Sequence, residues 1–144
     1  MCPSPQPFAR LSEAEAMTGH AIVLVVEDEP DVRELIADVL AENGYEIELA
    51  PDGAAALQLC EQRRYDLILS DLRMPKMDGA ALYWALQLRH GSAMPRIIYV
   101  TGQAHSMDYA GFLAASRVPV LSKPFTPDSL RQAVRQALSR PSSS

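Results

Sequence analysis

The chain has 144 residues, of which 48% are hydrophobic and 22% charged, and its formal net charge is −5. That length suits one domain with a sizeable core, and the composition excludes an intrinsically disordered chain. The acidic balance has no basic cluster, so nothing supports direct nucleic-acid binding, and no apolar run is long enough for membrane insertion as a helix.

Residues 1–19 open with Pro3, Pro5 and Pro7 and continue as LSEAEAM, which is expected to be a tail or the remnant of an upstream element. AIVLVV (21–26) is short, β-branched and uninterrupted, the pattern of a buried strand. Pro30 suits the first turn of a helix, and Val32, Leu35, Ile36, Val39 and Leu40 follow as an amphipathic stripe that Asn43-Gly44 ends. EIELA (46–50) alternates and predicts a half-exposed edge strand. Asp52 can cap an alanine-rich helix reaching about Arg64, and DLILS (66–70) gives the third strand. A helix is expected from Gly79 to about His90, a fourth strand at RIIYV (96–100), and a weaker helix from Ser106 to about Ser116 with Gly111 inside it. VPVL (118–121) predicts the fifth strand, and Leu130, Ala133, Val134, Ala137 and Leu138 give a last amphipathic helix over 128–139. The domain is expected over 20–140, with 141–144 a disordered tail.

Five β-α units in series predict an α/β fold: a doubly wound, five-stranded parallel sheet with helices on both faces and right-handed crossovers. In such sheets the loops after the strands gather at one edge, where ligands bind. The polar residues expected there are few. Glu27, Asp28 and Glu29 follow the first strand, Asp71 the third, Thr101 the fourth and Lys123 the fifth. Clustered carboxylates repel one another unless a cation or proton intervenes, and Mg²⁺ takes oxygen ligands and often completes its shell with phosphate. A lysine and a threonine opposite the metal suit a phosphoryl group, which leaves Asp71 as the candidate nucleophile.

The set VVEDEP, LILSDLRMPKMDG, IIYVTG and LSKPF, in that order, resembles the receiver domain of two-component response regulators over about residues 20–140. The resemblance implies a flavodoxin-like (β/α)5 fold with strand order 2-1-3-4-5. It implies Asp71 as phosphoacceptor, Asp28 as direct Mg²⁺ ligand, Glu27 as a ligand through water and the backbone carbonyl of Arg73 as a further ligand. Thr101 and Lys123 match the hydroxyl and ammonium that engage the phosphoryl group, and Lys123-Pro124 matches a bond that is usually cis. The implied partner is a sensor histidine kinase or a histidine phosphotransfer domain, with a possible dimer through the fourth helix, fifth strand and fifth helix. PVLSKPF resembles the receivers of hybrid histidine kinases. The expected role is a signalling phosphoacceptor, stand-alone or cut from a larger chain, with only self-catalysed transfer and slow autodephosphorylation.

Two departures stand out. Val120 occupies a position often aromatic in the family, where the ring swings inward on phosphorylation, so a muted readout is expected there. Arg73 and Gln103 occupy the variable positions over the phosphoryl group: Arg73 is able to cover it and Gln103 to orient a water. Gly102 leaves the site open to a bulky donor. Other residues have plainer readings. Glu29 and Asp31 favour a helix N-terminus, Asp78-Gly79 is a turn that shapes the loop, and Met74 and Met77 pack. Tyr83 and Trp84 are packing or partner surface, and His105 lies at the surface. Two cysteines, Cys2 and Cys60, make no disulfide framework and fit a cytoplasmic location; Cys60 is expected to be inert. His20, His90 and His105 form no metal-ligand cluster. A Mg²⁺-dependent aspartyl phosphatase is the alternative, but it usually needs a second aspartate where Arg73 stands. A purely interacting module that never meets phosphate is the third reading, and nucleotide binding lacks its glycine fingerprint.

Overall fold

The β-branched and leucine runs form the interior strands of a five-stranded parallel sheet, and in the computed structural model, which describes residues 21–139, every expected strand and helix is present. In chain order these are β1 (Ile22–Val26), α1 (Pro30–Ala41), β2 (Glu46–Ala50), α2 (Gly53–Gln62), β3 (Leu67–Ser70) and α3 (Gly79–His90). A short 3-10 turn (Gly91–Ala93) precedes β4 (Arg96–Thr101), α4 (Met107–Ser116), β5 (Val120–Ser122) and α5 (Pro127–Ser139). The strand order is β2-β1-β3-β4-β5, the doubly wound, flavodoxin-like arrangement. The tails expected at 1–19 and 141–144 lie outside the described residues.

Side-chain alternation along the strands divides the core in two. Val23, Val25, Leu67, Leu69, Ile98 and Val100 face one side, where Ile36, Val39 and Leu40 of α1 and Leu130, Val134 and Ala137 of α5 cover them. Leu24, Val26, Ile68, Ile97 and Tyr99 face the other, against Ala56 and Cys60 of α2, Leu82 and Leu86 of α3 and Tyr109 of α4. Each fully buried Leu or Ile contributes about 1.5–3 kcal/mol relative to exposure, so these two layers fix the sheet rigidly. Leu35, expected within the α1 stripe, is instead largely exposed, because it sits on the flank of that stripe. Burial also pushes the Cys60 thiol up to about 11, consistent with an inert core residue.

Some boundaries differ from expectation. α2 ends at Gln62, where Arg63 turns extended and its guanidinium pairs with Glu46 and Glu48 of β2. β5 starts at Val120 rather than Val118, since Pro119 has no N–H to donate and only its carbonyl joins the ladder, accepting from the Tyr99 amide at 3.0 Å. α4 forms despite Gly111, capped by the Ser106 hydroxyl, which accepts from the Asp108 amide at 3.1 Å. A Cβ added at Gly111 meets nothing within 4 Å. Gly111→Ala is therefore expected to stabilise the fold by about 0.5–1 kcal/mol, read as a raised unfolding midpoint in urea at unchanged m-value.

Candidate active site

The strand register brings the polar residues to one edge. Val26 pairs with both Ala50 and Ser70, Ser70 with Tyr99, and Thr101 with Ser122. The residues just beyond these pairs share a mouth. The Asp71 amide donates to the Val26 carbonyl at 3.1 Å, extending the ladder one step past β3. The Lys123 amide donates to the Thr101 carbonyl at 2.9 Å, doing the same for β5. Lys123-Pro124 is a cis peptide bond.

Lys123 joins the two acidic loops. Its Nζ donates to Glu27 Oε1 at 2.9 Å and to Asp71 Oδ2 at 3.0 Å. All three side chains are buried or nearly so. Burial disfavours the ionised Glu27 carboxyl and holds it above its ordinary value, with Lys123 partly opposing. Burial alone would lower the Lys123 ammonium, but its bonds to Glu27 and Asp71 outweigh this and keep it firmly charged. The other Asp71 oxygen, Oδ1, accepts from the Leu72 amide at 2.7 Å, so the carboxylate is held at both ends. Glu27 Oε2 accepts from the Glu29 amide at 3.3 Å, and the Glu27 carbonyl accepts from the Arg33 guanidinium at 2.8 Å.

Asp28 is exposed at the rim of this mouth. Glu27, Asp28 and Asp71 each offer a carboxylate oxygen, and the three oxygens lie within 4.8 Å of one another. One ammonium faces three carboxylates, so the pocket carries excess negative charge that a divalent cation would offset. An all-oxygen donor set of this kind fits Mg²⁺ better than softer metals. Thr101 is fully buried at the end of β4, and its Oγ1 accepts from the Gln103 amide at 3.0 Å. Its hydroxyl hydrogen is free to turn toward a ligand.

The loop after Asp71 is pinned at both ends. The Gly53 amide at the start of α2 donates to the Met77 carbonyl at 3.2 Å. Asp78 caps α3 by accepting from the Ala81 amide at 2.8 Å, and Gly79 packs where a Cβ would lie 2.4 Å from the Asp71 carbonyl oxygen. Asp78-Gly79 is thus a helix cap rather than a plain turn. Lys76 turns the loop away with φ at +69°. Met74 is buried and Met77 packs on the core, as expected.

Arg73 and Gln103 do not act separately. Arg73 Nη2 donates to Asp108 Oδ2 at 2.9 Å and to Gln103 Oε1 at 3.4 Å, and its guanidinium lies 5.6 Å from the centre of the Tyr109 ring. Reasoning from the sequence overlooked Asp108, Tyr109 and Tyr99. The Tyr99 hydroxyl donates to the Gly79 carbonyl at 2.8 Å, and the Tyr109 hydroxyl donates to Asp78 Oδ2 at 3.2 Å. Neither has a local motif; the one available signal was an aromatic amid strand or helix apolar residues, which reads only as core. His105 is exposed, as is much of Trp84. Val120 is partly exposed on β5, with no ring to bury. Among the described residues no helix is long and apolar enough to cross a membrane.

Residues 23–135 match the response regulator receiver domain family. The chain is 37% identical over 111 residues to the sensor histidine kinase RcsC of Escherichia coli (strain K12), covering 77% of this chain but only 12% of that kinase. The chain therefore spans a small part of that relative's length. Among solved structures, the receiver domain of the sensor histidine kinase PA1611 from Pseudomonas aeruginosa, with a magnesium ion in its active-site cleft, matches with a TM-score of 0.77 and 30% identity over 85% of this chain and 100% of its own. The response regulator TrrA from Thermotoga maritima, in complex with Mg²⁺ and BeF, matches with a TM-score of 0.72 and 32% identity over 83% and 100%. The sheet order, the acidic mouth with its lysine and these matches agree, and the chain belongs to the response regulator receiver domains of two-component signalling.

Proposed function

We propose that this domain accepts a phosphoryl group on Asp71 from the phosphohistidine of a sensor kinase or a histidine phosphotransfer domain, and that the acyl phosphate changes its affinity for partners. The observation that carries this reading is the Lys123 ammonium bonded to both Glu27 and Asp71, beside three carboxylate oxygens within 4.8 Å. An Asp71 oxygen forms the new P–O bond as the donor's P–N bond breaks, and the imidazole keeps the electron pair and takes up a proton. Asp28 would hold Mg²⁺ directly, with Asp71 and the Arg73 backbone carbonyl, and Glu27 would hold it through water. Bound there, the ion neutralises charge on the phosphoryl oxygens.

The chain's own groups do the positioning. The Leu72 amide holds Asp71 in place. Lys123 supplies a permanent positive charge, whose hydrogen bond to the free Asp71 carboxylate passes to the incoming phosphoryl oxygens. Thr101 offers a hydroxyl donor on the far side. Phosphoryl transfer and slow hydrolysis are self-catalysed, so the domain acts as a signalling phosphoacceptor in the cytoplasm. A dimer through α4, β5 and α5 is the proposed arrangement of the switched form. The phosphatase alternative is disfavoured because Arg73 stands at the general-acid position, and a guanidinium holds its protons too tightly to give one up at neutral pH.

The metal part is tested by titrating Mg²⁺ into the wild type and Asp28→Asn. At Mg²⁺ 100-fold above its dissociation constant, the wild type is expected to gain about 2.7 kcal/mol of stability, seen as a raised Tm. Asp28→Asn is expected to lose most of that rise and to need more Mg²⁺ for phosphorylation by acetyl phosphate. Phosphorylation indifferent to Mg²⁺ and to chelator would contradict this reading.

A further inference from the structure

We propose that Asp108 is a positioning residue for Arg73, and that a phosphoryl group on Asp71 competes with Asp108 for the guanidinium. The inference rests on Asp71 being the phosphoacceptor. Arg73 stands two residues after Asp71, yet its side chain crosses to α4, where it bonds Asp108 at 2.9 Å and lies on the Tyr109 ring. On the way it passes Gln103 at 3.4 Å, whose own amide is on the Thr101 hydroxyl. The guanidinium is therefore one residue removed from the group that faces the phosphoryl site. Tyr109 is buried and tied to Asp78, so the dock is fixed from beneath.

The docked pair is open to water, with side chains 54% and 71% exposed, and exposed pairs of this kind hold weakly. An acyl phosphate replaces one negative charge on Asp71 with roughly two and adds oxygens that match the guanidinium fork. The competition thus favours transfer of Arg73 from Asp108 to the phosphoryl group. That exchange removes the Asp108 tether between the first turn of α4 and the β3–α3 loop, while Tyr109 stays bonded to Asp78. Position 120 carries a valine, so no ring there conveys the change, and the Arg73 exchange reaches α4 without one.

The protein carries its own reporter. Trp84, the single tryptophan, sits on α3 with its ring 6.0 Å from Phe112 of α4, edge-on. The test phosphorylates the wild type, Asp108→Asn and Asp108→Glu with acetyl phosphate and Mg²⁺, measuring occupancy by intact mass and Trp84 emission in the same samples. Wild type is expected to show an emission shift that scales with occupancy. Asp108→Asn is expected to reach high occupancy, to emit from the start like the phosphorylated wild type, and to lose the phosphorylation-dependent shift. Asp108→Glu, which keeps the carboxylate, is expected to restore it. A merely structural Asp108 would move the starting emission and leave the shift intact, and that result overturns the proposal. So does a fully phosphorylated wild type with no shift. Absence of any mass gain in the wild type overturns the phosphoacceptor reading itself, and this inference with it.

Discussion

Lys123→Ala is expected to slow phosphoryl incorporation by roughly 10²–10³-fold, the scale on which enzymes lose rate when one preorganised charge-stabilising donor is removed. The same change destabilises the resting protein. Among the described residues Lys123 is the only cation bonded to the Glu27 and Asp71 carboxylates, and its side chain is 18% exposed. Removing one partner of a buried ion pair costs roughly 3–5 kcal/mol, because the remaining charges stay buried without compensation. Here two carboxylates are left facing each other, while the open mouth admits water and tempers the cost toward the lower figure. In a chain of this size that lowers Tm by on the order of 10 °C. Mg²⁺ should restore part of the loss by replacing the missing positive charge, so the Tm gap between wild type and variant narrows as Mg²⁺ rises. Thermal unfolding with and without Mg²⁺, alongside the incorporation rate, reads both effects. A variant with wild-type rate and wild-type Tm in chelator would remove Lys123 from the site.

Gly79→Ala tests the support rather than the chemistry. A Cβ there would lie 2.4 Å from the Asp71 carbonyl oxygen, 2.9 Å from a Tyr99 ring carbon and 3.0 Å from the Leu72 Cα. The first and last of these are backbone, and the Tyr99 ring is held by its hydroxyl bond to the Gly79 carbonyl. No neighbour is a flexible side-chain end that can swing away. Overpacking of this kind typically costs about 1–3 kcal/mol, and the backbone contacts put Gly79→Ala at the upper end. The strain falls on the peptide that carries the phosphoacceptor, so phosphorylation should slow even where the protein remains folded. Circular-dichroism melting and the rate of acetyl phosphate incorporation measure the two consequences. Unchanged values of both would show that α3 moves aside at no cost.

Much of this site is legible in the sequence. Val23 to Val26 and Leu67 to Leu69 read as interior strands because an uninterrupted apolar run suits a sheet covered on both faces, and both cores confirm that burial. Asp71 stood out because a charged residue directly after such a strand lands on the ligand-binding edge, and Lys123 because it follows the last strand of the same parallel series. The docking of Arg73 was not legible. A sequence gives the reach of an arginine but not its direction, and the choice between the phosphoryl site and Asp108 depends on where α4 lies against the β3–α3 loop. Tyr99 was hidden for a related reason: its ring satisfies the strand pattern, and only the fold reveals that its hydroxyl meets the Gly79 carbonyl. The start of β5 was misplaced because Val118 and Val120 are equally good strand residues, while Pro119 between them gives up a ladder donor.

The most direct measurement is the intact mass of the protein after incubation with acetyl phosphate and Mg²⁺, followed by peptide mapping of the modified species. The expected result is a phosphate-sized mass gain on the peptide that contains Asp71, absent in chelator and absent in Asp71→Asn. A gain of the same size in Asp71→Asn, or no gain in the wild type at any donor concentration, would contradict a phosphoacceptor role for Asp71.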